Sequence, residues 1–581
     1  MTLQRLFAGL LLAVASAIAA GSAAPDLVAA DETPKQKTAE KKKAFFKKLL
    51  AEKKKAEPTK PNTAEAEKSK PETAAEPAAQ QPTRPTGKPL DYKAVAALID
   101  RQIDKQLADA KVVASPRTDD AEFVRRVYLD VTGVIPAAEK VQSFLDSTDP
   151  EKRSKLVDEL LESSNYGRRV ADVWMGVLYP FNDSENRFVQ KEPLAKWLAE
   201  NFNENKPWDK MAYELLTATG EQDQNGATTY FMVNRGVDKI TDNIAKAFLG
   251  VQLQCAQCHN HPFTSWKQTE YWGMAQFFMK VSANVQRNAK TAVTAGVTEA
   301  ERPNRRLNPL PESAKTVNPK FLGGPEVKLP AGEPYRPVFA KWATDGANPY
   351  FARAMVNRTW SLLFGRGFVN PVDDMLKENE PSHPELLAAL AREFTLSGFD
   401  LKHLVRAICN SQTYQRSGKP LPGNKADQEL FSHQAIKALT PEQLFDSITV
   451  VVGSQTEGRQ GGRPGQAQRG APRSQREQFA QFFQPGESAK PTDYDAGIPQ
   501  ALRLMNAPRL SSAPGLVGAL AKGAKPDQVV EKLYLMTVSR RPTPDEVKRL
   551  TSYAAKQPDA ATAYGDILWA LLNSSEFTLN R

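Results

Sequence analysis

Residues 248 to 263 read Phe248-Leu-Gly-Val-Gln-Leu-Gln-Cys255-Ala-Gln-Cys258-His259-Asn-His261-Pro262-Phe263. This stretch holds two of the chain's 3 cysteines and two of its 5 histidines. In a Cys-x-x-Cys-His sequence, two thiols one helical turn apart can add to the two vinyl groups of one haem, and the adjoining imidazole can bind the iron. The stretch therefore predicts one covalent c-type haem, with Cys255 and Cys258 as the thioether positions and His259 as the proximal ligand.

The N-terminus indicates export. One basic residue, Arg5, precedes an apolar run over residues 6 to 20, and small residues follow as far as residue 24. The run has the length of a signal-peptide core and is short of the roughly 20 residues that a spanning helix needs. We expect residues 1 to 24 to be a signal peptide and the mature protein to lie in the periplasm or cell envelope, with an uncleaved N-terminal anchor as the alternative.

Export changes the interpretation of the cysteines, because thiols outside the cytoplasm are usually oxidised, metal-bound or bonded to a cofactor. Two alternatives to haem stay open. One is a zinc site built from Cys255, Cys258 and either His259 or His261, which would need a fourth ligand from elsewhere. The other is a disulfide or a redox-active dithiol, with no cofactor. The third cysteine, Cys409, shares the apolar stripe of a predicted helix and is expected to be a buried, inert thiol.

The formal net charge of +10 is concentrated in two polar segments. Residues 31 to 90 contain 15 Lys or Arg and nine Asp or Glu, and residues 453 to 476 contain five Arg and one Glu, so the rest of the chain is balanced. Because the basic charge belongs to a tail and a loop, nucleic acid is not expected as a partner. Residues 41 to 55 of the tail could form a short basic helix in weak contact with a membrane surface. The alternative is that they are part of a solvated tether.

Helical patterns dominate from residue 91 onward, and no long alternating strand pattern competes with them. Predicted helix boundaries are an N-cap at Asp119 or Asp120, a stop at Gly133, an N-cap at Asn348 and capping boxes at Thr440 and Thr543. A chain of 581 residues is too long for one core. We predict a mainly α protein: a disordered tether over residues 25 to 90, a helical domain over 91 to 285, a linker over 286 to 335 with room for one short strand, and a second helical domain over 336 to 581 that contains a disordered Gly/Gln/Arg loop at 453 to 476.

The second axial ligand is not specified. His261 follows His259 too closely to reach the opposite face of the same haem. The candidates, each of which has an ordinary core or surface role as its alternative, are Met274 and Met279 nearby, and Met375, His383 and His403 further along the chain. Aromatic side chains near the motif suit either a haem pocket or an ordinary helix core: Phe263, Trp266, Tyr271, Trp272, Phe277 and Phe278.

A polar cluster follows the helix that contains Arg353 and Arg358. Its members are Asp373, Asp374, Glu378, Asn379, Glu380 and His383. Such a cluster could bind Ca²⁺ or supply acid and base groups. The competing interpretation is that these residues are caps and turns, held by charge-assisted hydrogen bonds from the preceding arginines.

Longer motifs resemble two known families. Residues 90 to about 285 are similar to the planctomycete cytochrome-type domain of unknown function, through residues 233 to 242 and 248 to 278. Residues 335 to about 575 resemble the planctomycete-specific domain of unknown function that usually follows it, through residues 348 to 360, 364 to 374, 379 to 387 and 571 to 577. The resemblance implies an exported bacterial protein suspected of carrying haem. Asn260 departs from the family's Cys-His-Asp-His-Pro pattern and removes a carboxylate beside the site.

Two functions are compatible with these observations. The first is an exported c-type haem protein that transfers electrons in the bacterial envelope to or from a redox partner protein. The second is a non-catalytic scaffold or glycan-interacting protein of the envelope, whose Cys-x-x-Cys is a disulfide or metal site. A third function, that of an enzyme acting on exported polysaccharide or sulfated glycan, is disfavoured because no catalytic acid and base pair stands out among the residues. Whether the protein is an enzyme is left open.

Overall fold

The computed structural model describes residues 83–179, 189–261, 264–287, 293–300, 311–329, 332–453, 475–483 and 514–581. The predicted signal peptide, almost all of the tether with its segment 41 to 55, Phe263 and most of the loop 453 to 476 lie outside these residues. Across the described ranges, no helix combines the length and the apolar character that a membrane span requires.

The predicted mainly α fold is confirmed, since the described ranges contain 21 α-helices and five short strands. The helices are α1 (Tyr92–Ala110), α2 (Asp120–Thr132), α3 (Ala138–Asp146), α4 (Lys152–Glu162), α5 (Ser164–Leu178), α6 (Glu192–Asn203), α7 (Trp208–Thr217), α8 (Thr229–Val233), α9 (Val237–Ile244), α10 (Gln268–Ala275), α11 (Arg336–Ala343), α12 (Phe351–Phe364), α13 (Pro384–Leu396), α14 (Leu401–Asn410), α15 (Pro441–Val452), α16 (Gln475–Phe483), α17 (Pro514–Ala521), α18 (Pro526–Val538), α19 (Pro544–Ala554), α20 (Ala560–Leu572) and α21 (Ser575–Thr578). The strands are β1 (Gly220–Glu221), β2 (Val281–Arg287), β3 (Val293–Glu299), β4 (Lys437–Ala438) and β5 (Leu579–Asn580).

Local capping chemistry sets several helix boundaries. The capping boxes predicted at Thr440 and Thr543 are both present, and Asp119 is the N-cap of α2, accepting a hydrogen bond from the backbone N–H of Glu122. Gly133 ends α2 with φ 75°, a conformation that glycine adopts at no steric cost. These polar groups satisfy backbone donors and acceptors that a helix end leaves unpaired.

The predicted N-cap at Asn348 differs in detail from the structure. Helix α12 begins at Phe351, with Tyr350 in the N-cap position. The side-chain oxygen of Asn348 accepts from the backbone N–H groups of Tyr350 and Phe351, at 2.9 and 3.1 Å. Asn348 therefore binds the backbone donors of the turn that leads into α12, and the helix starts beyond this turn.

Two small antiparallel sheets join distant parts of the chain. β3 is the central strand of the first sheet and pairs with β2 along its whole length, from Val281 opposite Glu299 to Arg287 opposite Val293, and with β1 at Gly220 and Glu221. The second sheet pairs β4 with β5. The first sheet therefore occupies part of the segment that was predicted to be a linker.

The main hydrophobic core draws its side chains from residues 95 to 431, so it includes both predicted domains. Trp208 of α7, for example, stacks on Phe351 of α12 with ring centroids 6.0 Å apart. Cys409 is fully buried in this core, as predicted, and burial raises the pKa of its thiol. A second cluster packs Leu129 and Ile135 against side chains between residues 439 and 577. The described residues belong to one compact unit, and the boundary between two domains stays a prediction.

Candidate functional site

The Cys-x-x-Cys-His loop begins where α9 ends in a π-helical turn, Ala245–Leu249. Gly250 ends this turn with φ 68°, and the backbone N–H of Val251 donates to the carbonyl oxygen of Ala245. A Cβ atom at Gly250 would lie 3.1 Å from the sulfur of Met375 and 3.3 Å from the Cβ of Ala354. Both the backbone conformation and the close packing therefore require glycine here.

The two cysteines lie on a short 3₁₀-helix, Gln254–Gln257, for which Cys258 is the C-cap. Side chains three residues apart eclipse one another in a 3₁₀-helix, so this geometry directs both thiols to the same side. Cys255 and Cys258 are exposed free thiols, whereas Ala256 between them is fully buried. Ala256 therefore packs into the core, and the two cysteine side chains are exposed to solvent.

Residues of helix α10 form hydrogen bonds with the cysteine loop. The side-chain amide of Gln268 donates to the carbonyl oxygens of Gln257 and Cys258, at 3.0 and 2.9 Å. The indole N–H of Trp272 also donates to Gln257, at 3.0 Å, and the backbone N–H of Gln268 donates to the side-chain oxygen of Asn260, at 3.0 Å. Sequence reasoning did not identify Gln268, because a single glutamine at a helix start has no distinctive pattern.

His259 is exposed, and its Nδ1 atom lies 2.7 Å from the backbone oxygen of Asn260. A carbonyl oxygen can only accept a hydrogen bond, so this contact requires the proton on Nδ1 and leaves the lone pair on Nε2. A backbone carbonyl that binds one ring nitrogen of a histidine is the usual partner of an imidazole whose other nitrogen binds a metal. The contact of His259 therefore fits the tautomer in which the Nε2 atom is available to bind a metal.

His261 lies at the boundary with a second segment, residues 369 to 381. Its backbone N–H donates to the carbonyl oxygen of Trp266 at 2.9 Å, and its side chain is one of the groups that influence the pKa of Asp374. Burial and the neighbouring Asp373 raise the pKa of Asp374, while Asn379 and His261 act in the opposite direction. Carboxylates therefore lie near the loop although position 260 is an asparagine. They belong to Asp373 and Asp374, which are more than 100 residues further along the chain.

Two hydrogen bonds hold the second segment against the loop. The backbone N–H of Met375 donates to the carbonyl oxygen of Gly250 at 2.8 Å. The side-chain amide of Gln252 donates to Asp373 at 3.2 Å. The structure therefore brings part of the predicted polar cluster to the cysteine loop, although nothing in the sequence connects the two segments.

Most of the other predicted site residues are buried in the core and do not line the exposed side of the loop. Met274 and Met279 are fully buried in the main core, as are Tyr271, Trp272, Phe277 and Phe278, whereas Trp266 is half-buried. His383 is buried between the rings of Phe368 and Phe431, and His403 lies on α14. In the described part of the chain, no three His, Cys, Asp or Glu side chains are arranged to hold a metal ion.

Asp242, near the end of α9, carries a half-buried carboxyl group. Its Oδ1 atom is shielded from solvent and has no hydrogen-bond partner among the described residues. Burial raises the pKa of Asp242 to about 6, with Lys246 and Tyr271 opposing the shift. Burial has the reverse effect on His383 and lowers the pKa of its imidazole to about 4.

These two groups predict opposite effects of pH on stability. Because the pKa of Asp242 is raised on folding, the contribution of its carboxyl group to the free energy of unfolding is fully present below about pH 4. This contribution is lost as the pH rises through 6. Because the pKa of His383 is lowered, its contribution is present above about pH 6.5 and is lost as the pH falls through 4. We expect Asp242→Asn to raise the free energy of unfolding relative to the wild type by about 2–3 kcal/mol at pH 7, and hardly at all at pH 4.

Urea unfolding of both proteins at these two pH values measures the difference. His383→Gln is the companion variant, and it should instead remove the loss of stability that His383 causes on the acid side. An equal effect of Asp242→Asn at pH 4 and pH 7 would show that Asp242 does not titrate differently in the folded and unfolded states.

The fold and the loop together define a mainly helical protein with an exposed Cys-x-x-Cys-His turn. Two family models match successive parts of the chain, and both describe domains of unknown function. Residues 98–283 match PSCyt2, described as a protein of unknown function (DUF1549), and residues 335–554 match PSD1, described as a protein of unknown function (DUF1553). This order confirms the resemblance seen in the sequence. The comparisons with curated proteins and with solved structures found no match.

Proposed function

We propose that this protein is an exported c-type haem protein that transfers electrons in the bacterial envelope. The observation that carries the proposal is the contact of the Nδ1 atom of His259 with the backbone oxygen of Asn260 at 2.7 Å, which fits the tautomer of an iron ligand. An exposed histidine without a ligand has no need of a fixed tautomer, whereas an iron ligand does. Bound haem would supply reversible one-electron exchange.

The residues of the loop have separate tasks in this proposal. Cys255 and Cys258 provide two exposed thiols on one side of a 3₁₀ turn, which suits attachment to a single porphyrin edge. Gln268 and Trp272 fix the backbone between the thiols, so the imidazole is held relative to both of them. A rigid attachment keeps the reorganisation that accompanies electron transfer small. The redox partner would be another envelope protein, with no role for nucleic acid.

A redox-active dithiol is the second candidate. It is favoured by one specific observation, namely that both thiols are free, exposed and carried by the same turn. In this case Cys255 and Cys258 would cycle between dithiol and disulfide, and His259 would act as a nearby base. A zinc site or a structural disulfide in an envelope scaffold would use the same atoms without redox chemistry.

The test is expression of the full chain in a bacterial host with haem c maturation machinery, followed by denaturation. We expect haem to stay attached to the denatured chain, to add its mass to the polypeptide and to give the reduced absorbance band of a c-type centre. Cys255→Ser with Cys258→Ser should abolish attachment. Cys409→Ala is the matched control, since it removes the buried third thiol and should leave attachment unchanged.

A further variant examines the proposed ligand. His259→Gln keeps both thiols, so haem should still attach, but the absorbance spectrum should show loss of the axial histidine. A colourless wild-type chain that contains a disulfide, or that retains zinc, would rule out the haem proposal and leave the dithiol or metal alternative.

A further inference from the structure

A cavity of about 280 Å³ lies beside the cysteine loop, between the start of α12 and the segment 369 to 381. Tyr350 and Arg353 line one side, and Met375 and Lys377 line the other. Met375 also contacts Gly250, directly before the loop. The volume is slightly below the range of about 300–1,000 Å³ that is typical of ligand pockets, so the cavity suits a molecule of roughly monosaccharide size.

Arg353 is the unusual residue of this cavity. Arg353 is half-buried, and its Nε atom is shielded from solvent without a hydrogen-bond partner among the described residues. Burial lowers the pKa of its guanidinium group, and no neighbouring charge in the described ranges counteracts the shift. An uncompensated charge in such a place is unfavourable unless a ligand or solvent neutralises it.

Four other arginines also have one guanidinium nitrogen without a hydrogen-bond partner among the described residues: Arg125, Arg169, Arg336 and Arg358. Each of them, however, is stabilised by the charge of a neighbouring carboxylate. Arg336 pairs with Glu299 at 3.1 Å, and Arg153 pairs with Asp120 at 2.7 Å. Arg358, on the same helix as Arg353, donates to the carbonyl oxygen of Lys246 and is also stabilised by the charge of Asp373. Within the described ranges, no ion pair joins Arg353 to a carboxylate and burial is the only cause that acts on its pKa, although the carboxylate of Glu380 lines the same cavity.

We propose that the cavity binds a small carboxylate-bearing molecule, with the carboxylate on Arg353. A guanidinium group presents parallel N–H donors that match the two oxygens of a carboxylate. Lys377 adds a second positive charge at the exposed rim, and Met375 and Tyr350 provide apolar surface for the body of the ligand. Glu380 is an exposed carboxylate of the same lining, which disfavours ligands of high negative charge.

This carboxylate could belong to a free molecule, such as an acidic sugar, or to the propionate of a haem attached at the adjacent loop. The site itself does not depend on the haem proposal, because its geometry involves none of the loop's cysteine or histidine side chains. The two sources are distinguished by using the full chain with Cys255→Ser and Cys258→Ser, which cannot attach haem, beside the wild-type protein.

The experiment is calorimetric titration of the Cys255→Ser, Cys258→Ser protein with glucuronate, with neutral glucose and with inorganic sulfate. We expect binding of glucuronate alone, and a loss of affinity of about 10- to 100-fold in Arg353→Met. Arg353→Lys should lose most of the affinity as well, because it keeps the charge but not the paired donors. Arg366→Met is the matched control, since Arg366 forms an exposed ion pair with Glu429 and should not affect binding.

Circular dichroism and the midpoint of thermal unfolding verify that each variant is folded. If haem-loaded wild-type protein no longer binds glucuronate, the propionate is the natural occupant, and if it still binds, a free carboxylate is. Equal binding by Arg353→Met and the parent protein would overturn the proposal, as would a preference for sulfate, equal binding of glucose or no binding of glucuronate to the haem-free protein.

Discussion

Replacing Asp130 with alanine is expected to lower the free energy of unfolding by about 3–5 kcal/mol, because it leaves a buried cation without its partner. Asp130 lies on α2 and is almost fully buried. Its carboxylate accepts from the ammonium group of Lys437 at 2.6 Å, from the hydroxyl of Tyr414 at 2.9 Å and from the side-chain amide of Asn580 at 2.7 Å. One side chain of the first predicted domain therefore satisfies three polar groups of the second.

Chemical denaturation monitored by circular dichroism measures this loss. Asp130→Asn is the graded variant, because it keeps the shape and one acceptor oxygen but removes the charge that neutralises Lys437, and it should have an intermediate effect. Asp149→Ala is the matched control. Asp149 pairs with exposed Lys155 on the surface, where such pairs contribute about 0–1 kcal/mol. A loss below about 1 kcal/mol for Asp130→Ala would mean that water readily replaces the carboxylate.

Glu299→Gln is the second change with a large expected effect, again about 3–5 kcal/mol. Glu299 ends β3, and its Oε2 atom lies 3.1 Å from Nε of Arg336, whose side chain is only 1% exposed. The other carboxylate oxygen accepts from the backbone N–H of Tyr335 at 2.5 Å. The guanidinium group also donates to the carbonyl oxygen of Ala218 at 2.9 Å. The pair thus joins the sheet to α11 and α7, and Gln in place of Glu299 leaves a buried cation unpaired.

A double-mutant cycle gives the sharpest measurement of this pair. Glu299→Met together with Arg336→Met should recover much of the stability that either single change loses, because replacement of a whole buried pair by apolar side chains is often neutral. Lys196 and Glu200, an exposed pair on α6, provide the control cycle, with an expected coupling of about 0.3–0.5 kcal/mol. Additive losses in the first cycle would mean that the two charges do not stabilise each other.

The sequence predicted the local features of the fold well. Helix caps depend on residues only three or four positions apart, which is why Asp119, Gly133, Thr440 and Thr543 could be assigned from their neighbours alone. The predicted N-cap at Asn348 was wrong, because the side chain of Asn348 can hold either a helix start or the turn before one, and the structure has the turn.

The pairing of the β-strands could not be predicted from the sequence. β3 pairs with β1, about 75 residues earlier in the chain, and β4 pairs with β5 near the C-terminus. Pairing of this kind depends on which segments the helices bring together, and a segment of two residues such as β1 has no periodic pattern of its own. The sheet therefore lies partly in a region whose composition indicated a linker.

The cysteine loop likewise has local features that the sequence predicts and long-range contacts that it does not. The sequence by itself determined the local features of this loop, because they depend only on residues that are adjacent in the chain. These features are its composition, the turn with both thiols on one side and the position of His259. Only the tertiary structure decided that Asp373, Asp374 and Met375 lie against this loop and that Arg353 faces a cavity beside it without a carboxylate partner among the described residues. The physical reason is that local conformation depends on near neighbours in the chain, whereas charge pairing and burial depend on how distant helices pack.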